Sequence, residues 1–464
     1  MINIDRNLSI PLYSQIYKNI KKAIIEGNIK CGDKLPSKRN LSKTLCVSVN
    51  TVDTAYSTLV SEGFIESVPQ KGFYVCDIES LDTINFETIQ LKNDTEEKDN
   101  KSVKINFSLF GIDVDSFPYN QWKKIIREVL NLNPYEFLKT SPPQGELGLR
   151  QAISSHIYMR RGVSTKPENI IIGAGTDNLM EVLNGILDKN CKIAMEDPVY
   201  SKSYDYFERM GHKIISIPID EKGITIKSIG NMDNIALYIT PSHQFPLGIT
   251  MPVSRRIQVL RWAENGNNRY IIEDDYDSEF RYGSKPVPSM HSIDSKGNVI
   301  YLGSFSRSLS PSIRISYLVL PEKLMDKYRK TYINTSCPVS RLEQLVLEKF
   351  IYFGHFERHI NRMRKLYGEK REFTKKCLLN EFGNNIKFYG ENAGHHIIFT
   401  LKNFNDENKI CKMALNNGIK LYAVSDFYKG KVPKKFNGAV MLGYGSLDTL
   451  TIEKGITELK KALM

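Results

Sequence analysis

This chain of 464 residues has little cysteine, and no two of its cysteines are spaced as Cys-x-x-Cys. The seven are Cys31, Cys46, Cys76, Cys191, Cys337, Cys377 and Cys411. An odd, scattered set of this kind indicates neither a disulfide framework nor a zinc or redox site. No stretch approaches the about 20 apolar residues of a membrane helix, and residues 1–9 lack the apolar centre of a signal peptide. We therefore expect a cytoplasmic protein without a membrane partner.

The composition is that of a globular protein, with 41% hydrophobic and 25% charged residues. A chain of this length is too long for one ordinary domain, so we expect a small module and a large α/β body. The net charge of +12 suits an anionic partner such as DNA. The surplus is spread along the chain, however, and a lysine-rich enzyme would carry the same charge, so charge alone leaves both interpretations open.

A polar stretch divides the chain. Residues 77–104 contain too few apolar side chains to offset the entropy of ordering them, and the run 93–101 has a net negative charge that keeps it off DNA. We interpret 77–104 as a linker between a domain of residues 1–76 and one of residues 105–464. The larger domain is expected to end in a smaller α+β subdomain, roughly residues 340–464.

The first domain shows three helical patterns followed by two short β-prone runs. Gly27 ends the first helix, Pro36 and Ser37 open the second, and Ser48 caps the third. The residues expected on the inner faces are Leu12, Ile16, Ile20, Ala23, Ile24, Leu41, Leu45, Val49, Val52, Tyr56, Leu59 and Val60. The runs 64–68 and 73–75 predict a hairpin wing. This is the order of a winged helix-turn-helix, and the stretches 32–39 and 51–56 resemble the GntR family.

That resemblance implies that the third helix enters the major groove of double-stranded DNA. The predicted DNA contacts are Lys38, Arg39, Ser48, Asn50, Thr51, Thr54, Lys71 and Gly72. Asn50 is the best placed base reader, and its amide suits the N6 and N7 atoms of adenine. Lys38, Arg39 and the wing are expected at phosphates or a groove edge. One module neutralises few phosphates, so two copies are expected to act on paired half-sites of a promoter or operator.

From Ile105 onward, strand and helix patterns alternate, which predicts a mostly parallel sheet with ligands at the carboxyl ends of its strands. Five polar motifs follow one another in the order found in fold-type I aminotransferases. They are residues 144–150, 173–177, 196–200, 240–248 and 273–280. Together with the first domain, they resemble the MocR regulators, which fuse a GntR-like module to that fold. The predicted fold is therefore a winged helix-turn-helix followed by an aminotransferase-like α/β domain.

The resemblance implies a site for pyridoxal 5′-phosphate (PLP). The predicted contacts are Gly175, Thr176, Asp177, Tyr200, Asp274, Tyr276, Ser304, Ser306, Arg307 and Arg314. The glycine-rich turn at a helix N-terminus and Arg314 would hold the phosphate. Asp274 would keep the pyridine nitrogen protonated, and Tyr276 would reach the ring hydroxyl.

One expected group is missing. Arg307 stands where this family carries the lysine that forms a Schiff base with PLP. A guanidinium stays protonated, with a pKa above about 12, and cannot attack an aldehyde. The chain also has no arginine after Arg371 to grip a substrate carboxylate, and Lys202 occupies another position where relatives can carry arginine. We therefore predict no catalytic residue.

We interpret the chain as a transcription regulator whose large domain senses a small-molecule effector and repositions the DNA modules. The resemblance implies a head-to-tail, domain-swapped homodimer. Three states of the pocket stay open: PLP held without a covalent bond, another phosphorylated or vitamin-like ligand, or a vestigial, purely structural cleft. The competing interpretation is a working PLP-dependent aminotransferase, which the missing lysine disfavours because that amine also transfers the proton.

Overall fold

The computed structural model describes residues 4–5, 10–77, 103–132, 135, 138–282, 287–390 and 393–464. These residues belong to two compact units, Met1–Glu97 and Lys98–Met464. The division between the units falls within the predicted linker 77–104, of which residues 78–102 lie outside the described residues. None of the described helices combines the length and the apolar character needed to cross a membrane.

The first unit consists of three helices and a hairpin, as predicted. Its elements are α1 (Leu12–Ile25), α2 (Lys38–Leu45), α3 (Val49–Ser61), β1 (Ile65–Val68) and β2 (Gly72–Val75). The two strands are antiparallel, with Ile65 opposite Val75 and Val68 opposite Gly72. Ser37 caps α2 by accepting from the N–H of Asn40 at 3.2 Å. This arrangement confirms the winged helix-turn-helix.

Two residues expected on the inner face of α3 lie elsewhere. Val49 and Val60 are 43% and 38% exposed, whereas Val52, Tyr56 and Leu59 are fully buried. At about 100° per residue, Val49 and Val60 lie roughly 60° and 80° around the helix from Val52, at the margin of the apolar stripe. The helical periodicity therefore predicted the position of the buried stripe correctly but overestimated its width.

The second unit contains fourteen described strands in three sheets. They are β3 (Ile105–Asn106), β4 (Ile170–Gly173), β5 (Lys192–Asp197), β6 (Ile214–Asp220), β7 (Gly223–Ile224), β8 (Ile235–Ile239), β9 (Arg269–Asp275), β10 (Val299–Ser304), β11 (Ser316–Val319), β12 (Ile386–Tyr389), β13 (His396–Leu401), β14 (Ile419–Lys420), β15 (Tyr422–Ala423) and β16 (Val440–Gly443). The helices are α4 (Tyr119–Leu132), α5 (Leu147–Arg161), α6 (Thr176–Ile186), α7 (Ser201–Arg209), α8 (Ile226–Ile229), α9 (Val253–Glu264), α10 (Glu322–Tyr332), α11 (Arg341–Tyr352), α12 (His355–Phe382), α13 (Glu407–Asn416) and α14 (Thr449–Leu463).

The main sheet has the strand order β4-β11-β10-β9-β8-β5-β6-β7. Its central strands, from β10 to β6, are parallel. Strand β11 is antiparallel to both of its neighbours, so β4 runs in the same direction as β10. The sheet is thus mostly parallel, as predicted. Strands β4 and β8 are buried along their whole length, because helices cover both faces of such a sheet.

A smaller antiparallel sheet, ordered β12-β13-β16-β15, lies within the predicted C-terminal range 340–464. A short parallel pair joins β14 to β3, which brings the start of the domain back to this region. The carboxyl ends of β4, β5, β8, β9 and β10 all meet at one edge of the main sheet. This shared edge is where the polar motifs of the sequence come together.

Candidate ligand pocket and nucleic-acid interface

A pocket of about 290 Å³ opens at that edge of the main sheet. Nine of the ten predicted cofactor contacts line it: Thr176, Asp177, Tyr200, Asp274, Tyr276, Ser304, Ser306, Arg307 and Arg314. The other lining residues are Phe110, Lys202, Ser203, Thr240, Phe245 and Pro311. The tenth prediction, Gly175, immediately precedes Thr176. Six separated segments of the sequence therefore converge on one cavity.

At the end of the pocket near α6, the Arg314 guanidinium lies beside the turn at Gly175, and we call this arrangement the anion cradle. Gly175 precedes the helix with a φ of +88°, and a Cβ on this residue would lie 2.6 Å from Cζ of Arg314. Arg314 donates to the carbonyl oxygen of Ala174 at 3.2 Å and lies 3.4 Å from Oδ2 of Asp177. The Arg314 and Asp177 side chains are 54% and 63% exposed, so their mutual attraction is screened by water. A helix N-terminus and a guanidinium are both groups that bind phosphate, so these residues could hold one.

Asp274 lies at the end of β9 on the floor of the pocket. The hydroxyl of Tyr238 in β8 donates a hydrogen bond to Oδ2 of Asp274. Within the described part of the chain, no group donates to the buried Oδ1. Burial raises the pKa of Asp274 to about 7, against the opposing effects of the Tyr238 hydrogen bond and Arg307. A buried carboxylate oxygen without a partner fits a protonated pyridine nitrogen, which would donate to it and favour its ionised form.

Aromatic rings form the walls of the pocket. The ring centroids of Phe110 and Tyr200 lie 5.3 Å apart, and those of Tyr200 and Phe245 lie 5.5 Å apart. The hydroxyl of Tyr276 donates to the carbonyl oxygen of His243 at 2.9 Å. Tyr276 therefore reaches the pocket with its hydroxyl already engaged, and its contact with a ring hydroxyl stays a prediction.

The guanidinium of Arg307 places a positive charge in the same pocket. Its Nη1 donates to the carbonyl oxygen of Leu109 at 2.6 Å, and its Cζ lies 4.8 Å from the ring centroid of Phe110. The turn before Arg307 is held by Ser304, whose Oγ accepts from the N–H of Ser306 at 3.2 Å. Sequence position had put Arg307 in the pocket, and the structure adds its backbone and aromatic contacts.

Sequence reasoning missed Tyr238, which holds Asp274, and Phe110, which lines the pocket. Tyr238 could have been found from the sequence, because it carries the only hydroxyl group in the otherwise apolar strand β8. Phe110 carried no signal, since it lies in a loop almost 200 residues from Arg307. In contrast, the motif at 144–150 does not reach the pocket: Arg150 is buried and donates to the carbonyl oxygens of Gly145 and Pro167.

The N-terminus of α3 exposes one side-chain amide. The Oγ of Ser48 caps the helix by accepting from the N–H of Thr51 at 3.1 Å, and the two hydroxyls lie 2.8 Å apart. Thr54 donates its hydroxyl to the carbonyl oxygen of Asn50 at 2.9 Å. The amide of Asn50 itself is exposed and makes no side-chain hydrogen bond among the described residues. Of the four residues of this helix end that are predicted to contact DNA, Asn50 is thus the one whose side chain makes no hydrogen bond within the described part of the protein.

The predicted phosphate contacts differ in how they are held. Lys38 forms an ion pair with Asp53 of α3, and its Nζ lies 4.9 Å from the ring centroid of Phe73. Arg39 and Lys71 are both exposed, the latter in the turn of the hairpin. Gly72, which follows it, has a φ of +114°. Arg39 and Lys71 therefore present their charges to solvent, whereas Asp53 competes for Lys38.

Comparison with known proteins divides the chain in the same way. Residues 12–75 match the family described as Bacterial regulatory proteins, gntR family, and residues 110–435 match Aminotransferase class I and II. YdeL of Bacillus subtilis (strain 168), named as an uncharacterized HTH-type transcriptional regulator, is 38% identical over 99% of this chain and 98% of its own length. The "Probable rhizopine catabolism regulatory protein MocR" of Rhizobium meliloti is 28% identical over 100% of this chain and 96% of its own length. The multiple substrate aminotransferase of Thermococcus profundus shares the fold, with a TM-score of 0.68 and 24% identity over 78% of this chain and 91% of that one.

Proposed function

Since the chain belongs to the gntR family of bacterial regulatory proteins, in the MocR-type form that carries an aminotransferase class I and II domain, we propose that it regulates transcription by binding promoter DNA in response to a small molecule. Its first unit would bind the DNA, with Asn50 at base edges and Arg39 and Lys71 at phosphates. Its second unit would bind the effector.

The observation that carries the effector proposal is the unpartnered Oδ1 of Asp274 in a pocket that also has an anion cradle. These two features suit opposite ends of a phosphorylated pyridine. PLP, when bound, supplies an electron-withdrawing ring and an aldehyde. Asp274 would hold the ring nitrogen, and Arg314 with the turn at Gly175 would bind the phosphate. Arg307 cannot attach the aldehyde covalently, so we propose noncovalent binding of PLP or a related ligand and no transamination.

We further propose that the active form is a head-to-tail homodimer. One module offers few phosphate contacts, so two modules on paired half-sites are needed for useful affinity. The effector can change DNA binding only to the extent that it binds one arrangement of the dimer more tightly than the other. Domain swapping would connect each pocket with a DNA module in this way.

Retention of DNA from upstream of the chain's own gene tests the proposal. We expect the full chain to bind it with an affinity that falls steeply as salt rises, and PLP to change that affinity at fixed salt. The variant Asp274→Asn should keep the DNA affinity of the free protein and lose most of the response to PLP. Salt-sensitive retention without any PLP response would contradict the effector role only. Failure to retain any promoter fragment would contradict the regulator itself.

A working aminotransferase is the competing function. Incubation of the purified chain with PLP, amino donors and a keto acid should give no amino-group transfer. Turnover by the wild-type chain, lost in Asp274→Asn, would favour the enzyme instead.

A further inference from the structure

The turn after α1 meets the wing through a backbone irregularity. The N–H of Asp33 donates to the carbonyl oxygen of Lys30 at 3.0 Å, with Gly32 at a φ of +80°. The N–H of Gly32 donates to the carbonyl oxygen of Val75 at 2.9 Å. In turn, the N–H of Val75 donates to the carbonyl oxygen of Asp33 at 3.0 Å. Two residues, Gly32 and Asp33, therefore oppose the single residue Val75, which is a β-bulge with its glycine in the left-handed region.

This bulge brings two cysteines together. Cys31 precedes Gly32 and Cys76 follows Val75, so the two cysteines flank the bulge on its two chains. The N–H of Cys76 donates at 3.0 Å to the carbonyl oxygen of Phe64, away from Cys31. A disulfide requires Cα atoms about 4.4–6.8 Å apart, a separation that residues facing each other across paired backbones can reach.

The surroundings of the two thiols agree with the backbone. Both cysteines line one surface depression, together with Glu66 and Lys71. Burial raises the pKa of the Cys76 thiol, and the negative charges of Glu66 and Cys31 add to this effect. Both cysteines therefore border the same small region of the surface.

Accessibility distinguishes this pair from the other cysteines. Cys31 is exposed and Cys76 is partly exposed, and both thiols are free in the structure. In the second unit, the cysteines are buried or half-buried: Cys191, Cys337, Cys377 and Cys411. Cys46 is also exposed, but no contact places it beside either member of the pair, so it provides a matched control.

We propose that Cys31 and Cys76 form a redox modification site for a small-molecule disulfide of the glutathione class. The thiolate of Cys31, the more exposed group, attacks one sulfur of that disulfide and releases one thiol, leaving a mixed disulfide. Cys76 then loses its proton and displaces the second thiol, which closes an intramolecular disulfide. Two electrons pass from the cysteine pair to the small disulfide, which leaves as two thiols carrying the two cysteine protons.

The new bond would act at a defined place. It would join the turn between α1 and α2 to the last residue of the wing, directly before the predicted linker. Closing a loop of about 45 residues restricts the unfolded module, so the amide protons of Gly32 and Val75 should exchange more slowly in the oxidised chain.

Oxidation of the full-length chain with oxidised glutathione, followed by alkylation and non-reducing peptide mapping, tests the proposal. We expect a linked peptide that joins Cys31 to Cys76 and that reduction with dithiothreitol removes. Cys46→Ser should retain the link. Cys76→Ser should instead accumulate glutathione on Cys31, because the resolving thiol is absent.

Two outcomes would overturn the assignment. One is equal glutathione attachment to Cys31 and Cys46 in the wild-type chain with no linked peptide. The other is a link that joins Cys31 to Cys46 or that forms only between two chains. Because the wild-type chain gives the decisive result, neither outcome depends on how well a variant folds.

Discussion

The guanidinium carbon of Arg307 lies 4.8 Å from the ring centroid of Phe110, and the same guanidinium donates to the carbonyl oxygen of Leu109. Phe110 is 39% exposed, and its ring also packs against that of Tyr200. A cation–π contact at a partly exposed site contributes about 0.5–1 kcal/mol, and a hydrogen bond to a charged group about 1.5–3 kcal/mol. Arg307 therefore helps to hold the wall of the pocket.

Replacing Arg307 by lysine should restore covalent attachment. The variant Arg307→Lys supplies a primary amine that can deprotonate, so we expect it to absorb as a Schiff base with PLP and to keep the ligand after borohydride reduction. Mass spectrometry of the reduced protein should find the added mass at residue 307. The wild-type chain should show neither signal.

Lys202 is the internal control for that experiment, because it is an amine in the same pocket. The double variant Arg307→Lys/Lys202→Met should still attach PLP. Covalent PLP on Lys202 of the wild-type chain would contradict the noncovalent mode of binding.

The anion cradle should be sensitive to a single methyl group. In Gly175→Ala, the new Cβ would lie 2.6 Å from Cζ of Arg314 at a φ of +88°, so either the guanidinium or the turn must move. We expect PLP and inorganic phosphate to bind at least about tenfold more weakly, a loss of about 1.4 kcal/mol, as measured by isothermal titration calorimetry.

Gly211→Ala separates this clash from backbone strain. Gly211 has a φ of +83°, and a Cβ there would meet nothing within 4 Å. This variant should lose some stability but retain phosphate binding. Equal losses of affinity in the two variants would show that the effect of Gly175→Ala does not come from displacing Arg314.

The sequence predicted those parts of the site that adjoin strand ends. Thr176, Asp274 and Ser306 follow or end buried strands of the main sheet, and parallel strands bring their carboxyl ends together. Contacts between distant segments were not predictable, because nothing local to Arg307 indicates the carbonyl of Leu109, and the bond between them spans 198 residues. The fold was predicted more fully than the site, since strand and helix patterns are local whereas wall residues such as Phe110 depend on tertiary packing.

Asp274 should make stability depend on pH. An aspartate in an unfolded chain has a pKa of about 3.9, whereas burial raises that of Asp274 to about 7. Between these values the unfolded chain releases a proton that the folded chain keeps, so this group lowers stability as pH rises from about 4 to 7. In Asp274→Asn the effect disappears, and the amide oxygen can still accept from Tyr238. We expect the ligand-free variant to gain up to a few kcal/mol over wild type at pH 8 but only about 1 kcal/mol at pH 4.5.

Denaturant unfolding at several pH values measures this difference. PLP should reverse the order at pH 8, because the ring nitrogen stabilises the carboxylate of the wild-type chain only. A variant advantage that stays constant from pH 4.5 to 8 would mean that Asp274 is already ionised in the free pocket.

Asn50 should determine base preference. Its exposed amide can make a bidentate contact with adenine, which contributes about 1–3 kcal/mol of discrimination. Asn50→Ala should therefore lower the ratio of operator to nonspecific affinity by roughly 5- to 150-fold in fluorescence anisotropy, while the salt slope stays unchanged. Arg39→Met should do the opposite, reducing the slope of log K against log salt by about 0.9 with little change in that ratio. An equal loss of operator and nonspecific affinity in Asn50→Ala would instead mean that the amide contacts the DNA backbone.

Asp53 should weaken DNA binding by occupying Lys38. The ion pair between them lies on the surface expected to face DNA, where a carboxylate also repels phosphate. Asp53→Asn should release Lys38, so both operator and nonspecific DNA bind more tightly, and the slope of log K against log salt steepens by about 0.9 for one added phosphate contact. The double variant Asp53→Asn/Lys38→Met should return the slope to the wild-type value. If Asp53→Asn alone leaves the slope unchanged, Lys38 makes no phosphate contact, and its function is to hold α2 against α3 and the ring of Phe73.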